Sequence, residues 1–342
     1  VPEPRFLAAC RREPVDVTPI WMMRQAGRSL PEYRKLREHY KLVDIVANAE
    51  LCAEVTLQPV RRFDVDAAVM FADIMLPLAG MGVDFELVED VGPVIASPVR
   101  TPADVAALRV PTAEESVPQI LAAVRAVVAA SPVPVVCFSG APFTLASYMI
   151  EGRPTRDFKL AKTFMYNEPA AFEALLDKLA RVATDYLRAQ VACGAAAIQV
   201  FDSWVGALAV EDYRERVLPH TKTIFDGTAD LGVPRIHFGV GAATLLPSIA
   251  SANPDVVSVD WRLPLDDAWD AIGHDKGIQG NLDPAVLLGP AELVRARALD
   301  VLRRAAGRPG HVFNLGHGVL PETPLENLQL LVDTVHEANV RV

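Results

Sequence analysis

The chain has 342 residues and is 51% hydrophobic, enough for a large core in one barrel-type domain or two ordinary ones. A formal net charge of −10 and a pI near 5.2 argue against a general nucleic-acid footprint and against a polybasic membrane patch. An anionic ligand would need cations concentrated locally against that mean field.

In chain order, the charged "RREPVD" (11–16) precedes the first apolar run, so no secretory signal is expected. The first strand is expected at 17–23, "VTPIWMM", and it ends abruptly on Arg24, with Arg28 four residues on. A helical pattern follows over 42–58, where Pro59 is expected to end it. The weakly charged run 67–83 is broken by Asp73, Pro77, Gly80 and Gly82 and is short for a membrane span, so it is read as strand 67–71 plus a loop. Further near-continuous apolar runs lie at 134–139, 196–201, 234–239, 256–260, 277–280 and 311–315. Continuous rather than alternating hydrophobicity suits strands of a parallel sheet buried on both faces.

Helical patterns fill the gaps, among them one near 114–130, one over 170–192 with Gly194 as its stop, and one over 322–338. Eight strand candidates with helices between them, and no Pro/Gly/Ser-rich linker, point to an α/β chain forming a single (β/α)8 TIM barrel over 1–342. About 60 residues separate the second and third strands, and they include a β-like excursion at 83–99, read as a hairpin-like insertion after the second strand. The four cysteines, Cys10, Cys52, Cys137 and Cys193, form no CxxC pair and are read as reduced, mostly buried thiols of a cytosolic protein.

Polar residues cluster just past the strands: Arg24, Asp73, Ser139, Asp202-Ser203-Trp204, Gly239, Gly241, Asp260, Asn281 and "GHG" at 316–318. In a parallel barrel those ends converge on one rim, where active sites are built. Arg24 and Arg28, flanking Gln25, Ala26 and Gly27, form a plausible carboxylate or phosphate receiver with backbone N–H groups freed around the glycine; a solvated surface pair is the plainer reading. Asp73 in the apolar "VMFADIMLPL" needs a partner, whether as a structural cap or as a functional carboxylate. Tyr148 alone reads as a packed aromatic, and Ser203 lacks a G-x-S-x-G frame. His317 lies between glycines, where core filling is a poor explanation. No HExxH motif or Cys/His cluster appears, so no metal is expected, and Gly239-Val240-Gly241 is a weak phosphate-loop signal.

Taken together, "MRQAGRSLPEYR", "FADIMLPLAGMG", "FSGAPFTLASYMIEG", "QVFDSWVG" and "LGHGVLPETP" resemble the signatures of the uroporphyrinogen decarboxylase family, in its order and from about residue 4 to the C-terminus. Small departures stand at Ser29, Ala72, Met75 and Val205, and none removes a charged group. The resemblance implies a single (β/α)8 barrel that decarboxylates the four acetate side chains of uroporphyrinogen III, giving coproporphyrinogen III in cytoplasmic haem biosynthesis. It implies no metal and no organic cofactor, a small-molecule substrate, a homodimer, and neither nucleic acid nor membrane as partner. By the same resemblance Asp73 and Arg24 are catalytic, and Arg24, Gln25, Ala26, Gly27, Arg28, Asp73, Tyr148, Ser203 and His317 bind substrate. Two other functions fit the same barrel. Zinc-dependent methyl transfer would need H-x-C where this chain has His237-Phe238-Gly239, and a non-catalytic tetrapyrrole carrier would gain little from Asp73.

Overall fold

A computed structural model describes residues 3–88 and 91–338. Seven parallel strands form one curled sheet: β1 (Ala68–Val69), β4 (Val135–Gly140), β5 (Ala197–Asp202), β6 (Arg235–Gly239), β7 (Val256–Ser258), β8 (Gly277–Leu282) and β9 (His311–Leu315), in that spatial order. Each strand pairs with its sequence neighbour in the sheet, the arrangement of a (β/α)8 barrel. The apolar runs are continuous because both faces are covered, and β4, β6, β7, β8 and β9 are buried at every position. Strands β2 (Phe85–Val88) and β3 (Gly92–Ile95) pair antiparallel with each other and stand outside this sheet; residues 89 and 90 of the 83–99 excursion lie outside the described residues.

The expected first strand, 17–23, is reduced to one parallel bridge, Ile20 to Phe313. The cause is local. Pro19 has no N–H, and the amides of Met22 and Met23 bond instead to Gln25 Oε1 (2.9 Å) and Asn314 Oδ1 (3.1 Å). The segment still closes the ring. Trp21 N donates to Phe313 O at 3.3 Å and Asp66 N to Ile20 O at 2.8 Å, joining the last strand to the approach to β1. Inside, Trp21 Nε1 donates to Gln279 Oε1 at 3.0 Å, and Gln279 Nε2 donates to Gln199 Oε1 (3.0 Å) and Ser258 Oγ (2.9 Å). These buried side chains come from four segments of the ring, so the bonds span the interior.

The helices used below are α1 (Ala49–Phe63), α2 (Pro142–Glu151), α3 (Pro169–Ala192), α4 (Ala291–Ala305) and α5 (Leu325–Glu337). The pattern expected over 42–58 is two helices: Asn48 ends a short one at Leu42–Ala47 and caps α1, its Oδ1 accepting from Glu50 N and Leu51 N at 3.1 and 3.0 Å. Pro59 does not end α1. The helix runs on to Phe63, where Asp64 turns left-handed (φ 54°), because Pro59, Val60 and Phe63 are buried against the core. The long helix α3 ends at Ala192 with Cys193 as its cap, followed by Gly194 at φ +103°, as its sequence indicates.

Candidate active site

The buried run Ile20–Met23 carries Arg24 to the rim, and there the backbone turns left-handed: φ at Arg24 is +58°. A non-glycine residue in that region is strained by about 1–2 kcal/mol and persists only where its surroundings over-determine it. The surroundings are identifiable. Gln25 is 1% exposed; its Oε1 accepts from Met22 N at 2.9 Å and its Nε2 donates to Ala67 O at 2.9 Å. Gln25 is therefore a clamp between the turn and the approach to β1, with its amide turned into the protein. The left-handed residue is Arg24 and not Gly27, whose φ is ordinary. Ala26 is buried, whereas the Arg24 and Arg28 side chains are exposed. Beyond them Arg34 Nε donates to Arg28 O at 2.6 Å and Arg34 Nη2 to Ser29 O at 3.2 Å, tying the loop to the helix that follows.

Asp73 lies in the loop after β1 and is half-buried. Its Oδ1 accepts from Met75 N at 2.8 Å, the Asx-type bond of a short polar residue in a turn. Burial pushes the carboxyl above the ordinary aspartate range, against the Met75 amide and the Arg24 charge, which pull it down. Tyr148, on α2, feels both groups. Its hydroxyl is pushed up to about 12, by burial first and then by the Asp73 charge, with Arg24 opposing, so it stays protonated and able to donate. Its ring lies 3.9 Å from that of Trp204, which in turn meets Phe158 edge-on at 4.8 Å.

Ser203 and Trp204 follow β5 in a turn fastened from behind. Trp204 N donates to Thr144 Oγ1 at 3.2 Å, and that hydroxyl donates to Asp202 Oδ1 at 2.8 Å, both residues being fully buried. The Ser203 side chain is half-buried at the front of the turn. Phe138, Phe201 and Phe238, on three adjacent strands, pack edge to face at 5.2 and 5.7 Å, and Phe238 meets the His317 ring at 6.2 Å. His317 is pushed down to about 4, by burial first, then by Arg24 and Arg262, with Asp260 opposing; at neutral pH it is an uncharged imidazole.

The two glycines beside His317 have steric causes. A β-carbon at Gly316 would sit 2.6 Å from Trp261 N, and one at Gly318 would sit 2.7 Å from Arg24 Cγ. The Arg24 charge thus reaches Asp73, Tyr148 and His317 at one rim, with Ser203 adjoining through the Trp204–Tyr148 stack. Gln25 and Ala26 support that rim from within. Arg262 also belongs to the rim. It lies two residues past Asp260, and the rule that places function at strand ends already covered its position.

Among the described residues no group of three or more His, Cys, Asp or Glu side chains converges as a metal site. Such a site would be expected on the rim, and His237 points elsewhere. It is fully buried, 5.5 Å from the Phe225 ring, with Nε2 3.7 Å from Asp202 Oδ2. Among the described residues no helix is long and apolar enough to cross a membrane.

Comparison with known proteins gives the family of the chain. The family described as uroporphyrinogen decarboxylase (URO-D) matches residues 1–338. The chain is 52% identical over 334 residues to a protein named uroporphyrinogen decarboxylase from Carboxydothermus hydrogenoformans, covering 97% of this chain and 95% of the relative. It is also 52% identical over 337 residues to the protein of that name from Streptomyces griseus, covering 98% and 92%. Among solved structures, a methyltransferase from Methanosarcina mazei superposes with a TM-score of 0.81 over 97% of both chains at 21% identity, a likeness of fold alone. A B12-independent methionine synthase from Shewanella superposes less closely, with a TM-score of 0.59 at 12% identity over 84% of this chain and 86% of that one.

Proposed function

The chain belongs to the uroporphyrinogen decarboxylase family, and from that premise we propose that it converts the four acetate side chains of uroporphyrinogen III to methyl groups, yielding coproporphyrinogen III and CO2. The observation that carries this reading is the half-buried Asp73, within the field of the Arg24 charge, whose carboxylate has a single hydrogen bond, from Met75 N, among the described residues.

Losing CO2 from an alkyl acetate leaves an electron pair that needs a sink. Protonation of the adjacent pyrrole carbon supplies it: the cationic ring takes up the electrons as CO2 departs, the exocyclic methylene is then protonated to methyl, and the ring carbon gives back its added proton to restore the pyrrole. For each acetate the balance is one proton consumed and one CO2 released. The protein has to grip a polyanion, stabilise a transient ring cation and deliver protons.

Arg24 and Arg28 grip substrate carboxylates, aided by the backbone from Gln25 to Gly27. Asp73, through its open oxygen, accepts hydrogen bonds from pyrrole N–H groups. Those bonds strengthen as positive charge develops on the ring, which makes the stabilisation selective for the transition state. Tyr148, Ser203 and neutral His317 orient the macrocycle by hydrogen bonding. Arginine side chains hold their protons too tightly to be good general acids, so the part given to Arg24 in proton delivery is relay from a carboxyl group or water. We read the chain as one catalytic domain that acts in the cytoplasm as a homodimer, without metal or organic cofactor.

The test is direct. Purified protein, given enzymatically reduced uroporphyrinogen under anaerobic conditions with a chelator present, should release CO2 and accumulate coproporphyrinogen. Binding without turnover would make it a carrier, and turnover abolished by the chelator would remove the cofactor-free mechanism.

A further inference from the structure

We propose that Arg262 is a third substrate-gripping cation of the barrel mouth, taking a peripheral carboxylate of the bound macrocycle on the side of His317 opposite Arg24. This rests on the decarboxylase reading for the identity of the ligand, and on the following geometry for the site.

The two glycines of "GHG" fix what flanks His317. Gly316 leaves no room for a β-carbon against Trp261 N, so the turn at 260–262 abuts the end of β9. Gly318 leaves none against the stem of Arg24. His317 therefore stands between Arg24 on one side and the turn that carries Arg262 on the other. Both guanidinium groups act on its imidazole.

Arg262 is also held as a binding group would be. Its backbone N–H donates to Asp260 Oδ1 at 2.9 Å, its Nη1 donates to Asp260 Oδ2 at 2.5 Å, and its guanidinium carbon lies 4.4 Å from the Trp261 ring centroid. Asp260 is itself anchored, Oδ2 accepting from Gly241 N at 2.5 Å across to the loop after β6. An exposed arginine ordinarily gains little from a single ion pair and keeps its rotamer freedom. This one is restrained by a buried carboxylate and a ring while its side chain stays 50% exposed. Its Nε and Nη2 have no hydrogen-bond partner among the described residues. Asp260, whose side chain is 5% exposed, lies beneath it, so an approaching anion meets the guanidinium first. Such preorganisation lowers the cost of gripping a carboxylate.

Wild type, Arg262→Ala, Arg262→Gln and Arg262→Lys would be compared by uroporphyrinogen kinetics, by binding of oxidised uroporphyrin followed through tryptophan quenching, and by thermal unfolding. Arg262→Ala should raise KM and the uroporphyrin Kd about tenfold, the worth of one charge-assisted hydrogen bond, with kcat within about threefold. Arg262→Lys should recover part of the loss. Arg262→Gln keeps the stem and a bond to Asp260 but carries no charge, and should behave like the alanine variant even if that variant folds poorly. Unchanged KM and Kd in the glutamine variant, with only a lower unfolding temperature in Arg262→Ala, would make Arg262 a structural staple and overturn the proposal while leaving the decarboxylase reading intact. Wild type that binds uroporphyrin through Arg262 but turns nothing over would overturn the decarboxylase reading and leave this binding site standing.

Discussion

Two aspartates occupy equivalent places in this barrel, each just beyond the end of a strand, and the structure treats them in opposite ways. Asp260 accepts from Gly241 N, Arg262 N and Arg262 Nη1, so its carboxylate is fully engaged. The Asp73 carboxylate accepts only from Met75 N among the described residues, and burial pushes it up toward the neutral form. A buried charge with its hydrogen bonds complete is scaffold, whereas a half-buried one with an oxygen left open can take a donor from outside the protein. The contrast separates, within a single rim, the part that holds shape from the part that awaits a ligand.

The largest effect that would test this contrast is at Asp73. Asp73→Asn should lower kcat by about 10²–10³-fold, the usual scale for removing one preorganised electrostatic group. The fold should not suffer. A carboxyl raised in the folded state opposes folding once ionised, so the amide should leave the thermal midpoint unchanged or raise it. A near-normal kcat would remove Asp73 from the mechanism, and a large drop in thermal midpoint would class it with Asp260.

Asp260→Ala should show the reverse pattern. Leaving Gly241 N and two Arg262 donors without their acceptor should cost about 2–3 kcal/mol of stability, read as a lower midpoint in calorimetry. Its kcat should fall by less than about tenfold. Should kcat fall as far as in Asp73→Asn, the two sides of the rim are not divided as described.

A smaller effect is expected at the spacers. Gly318→Ala must displace the Arg24 stem and should raise KM for uroporphyrinogen about tenfold, through misplacement of one guanidinium. Gly27→Ala offers the control for stability. Its β-carbon would meet only Arg24 O at 3.4 Å, so its thermal midpoint should match that of wild type.

The most gradual effect is on pH. His311 and His317, at the two ends of the β9 segment, are both pushed down to about 4 from 6.5, burial being the first cause of each. Between those values the unfolded chain binds more protons than the folded one, so stability is present above about 6.5 and is lost as pH falls toward 4. Thermal midpoints measured across that window should decline. His317→Gln should flatten the decline by its own share and leave that of His311, and an unchanged slope would place the His317 imidazole in solvent.

What could be read in advance followed from how completely the environment dictates each residue. The seven regular strands were legible because burial on both faces forces an unbroken apolar run, and Arg24 and Asp73 stood out because charge in such a run needs a reason. The first strand was legible as a buried segment but not as an irregular one, since Gln25 and Asn314 side chains take over amides that a ladder would have used. Pro59 misled because its local penalty is outweighed by packing of the α1 turn beyond it. The left-handed turn at Arg24 was not legible, because glycine is the ordinary occupant of positive φ, and only the Gln25 clamp and the space left by Gly318 explain an arginine there. Arg262 escaped notice because nothing in "VDWRL" distinguishes a pinned arginine from a solvated one.

The closure of the ring also governs the order in which this rim can come into being. Met23 is held by Asn314, and Val319 N donates to Met23 O at 2.8 Å, so the wall around Arg24 is stitched from the two extremities of the described chain. During synthesis Ile20 can meet Asp66 and Met22 can meet Gln25 early, but the partners of Trp21 and Met23 on the far side wait for residues 313–319. The mouth is then closed on that side last. A chain stopped before residue 311 would keep Gln25 clamped to Ala67 yet lack β9, α5 and the Asn314 side chain that holds Met23 just before Arg24.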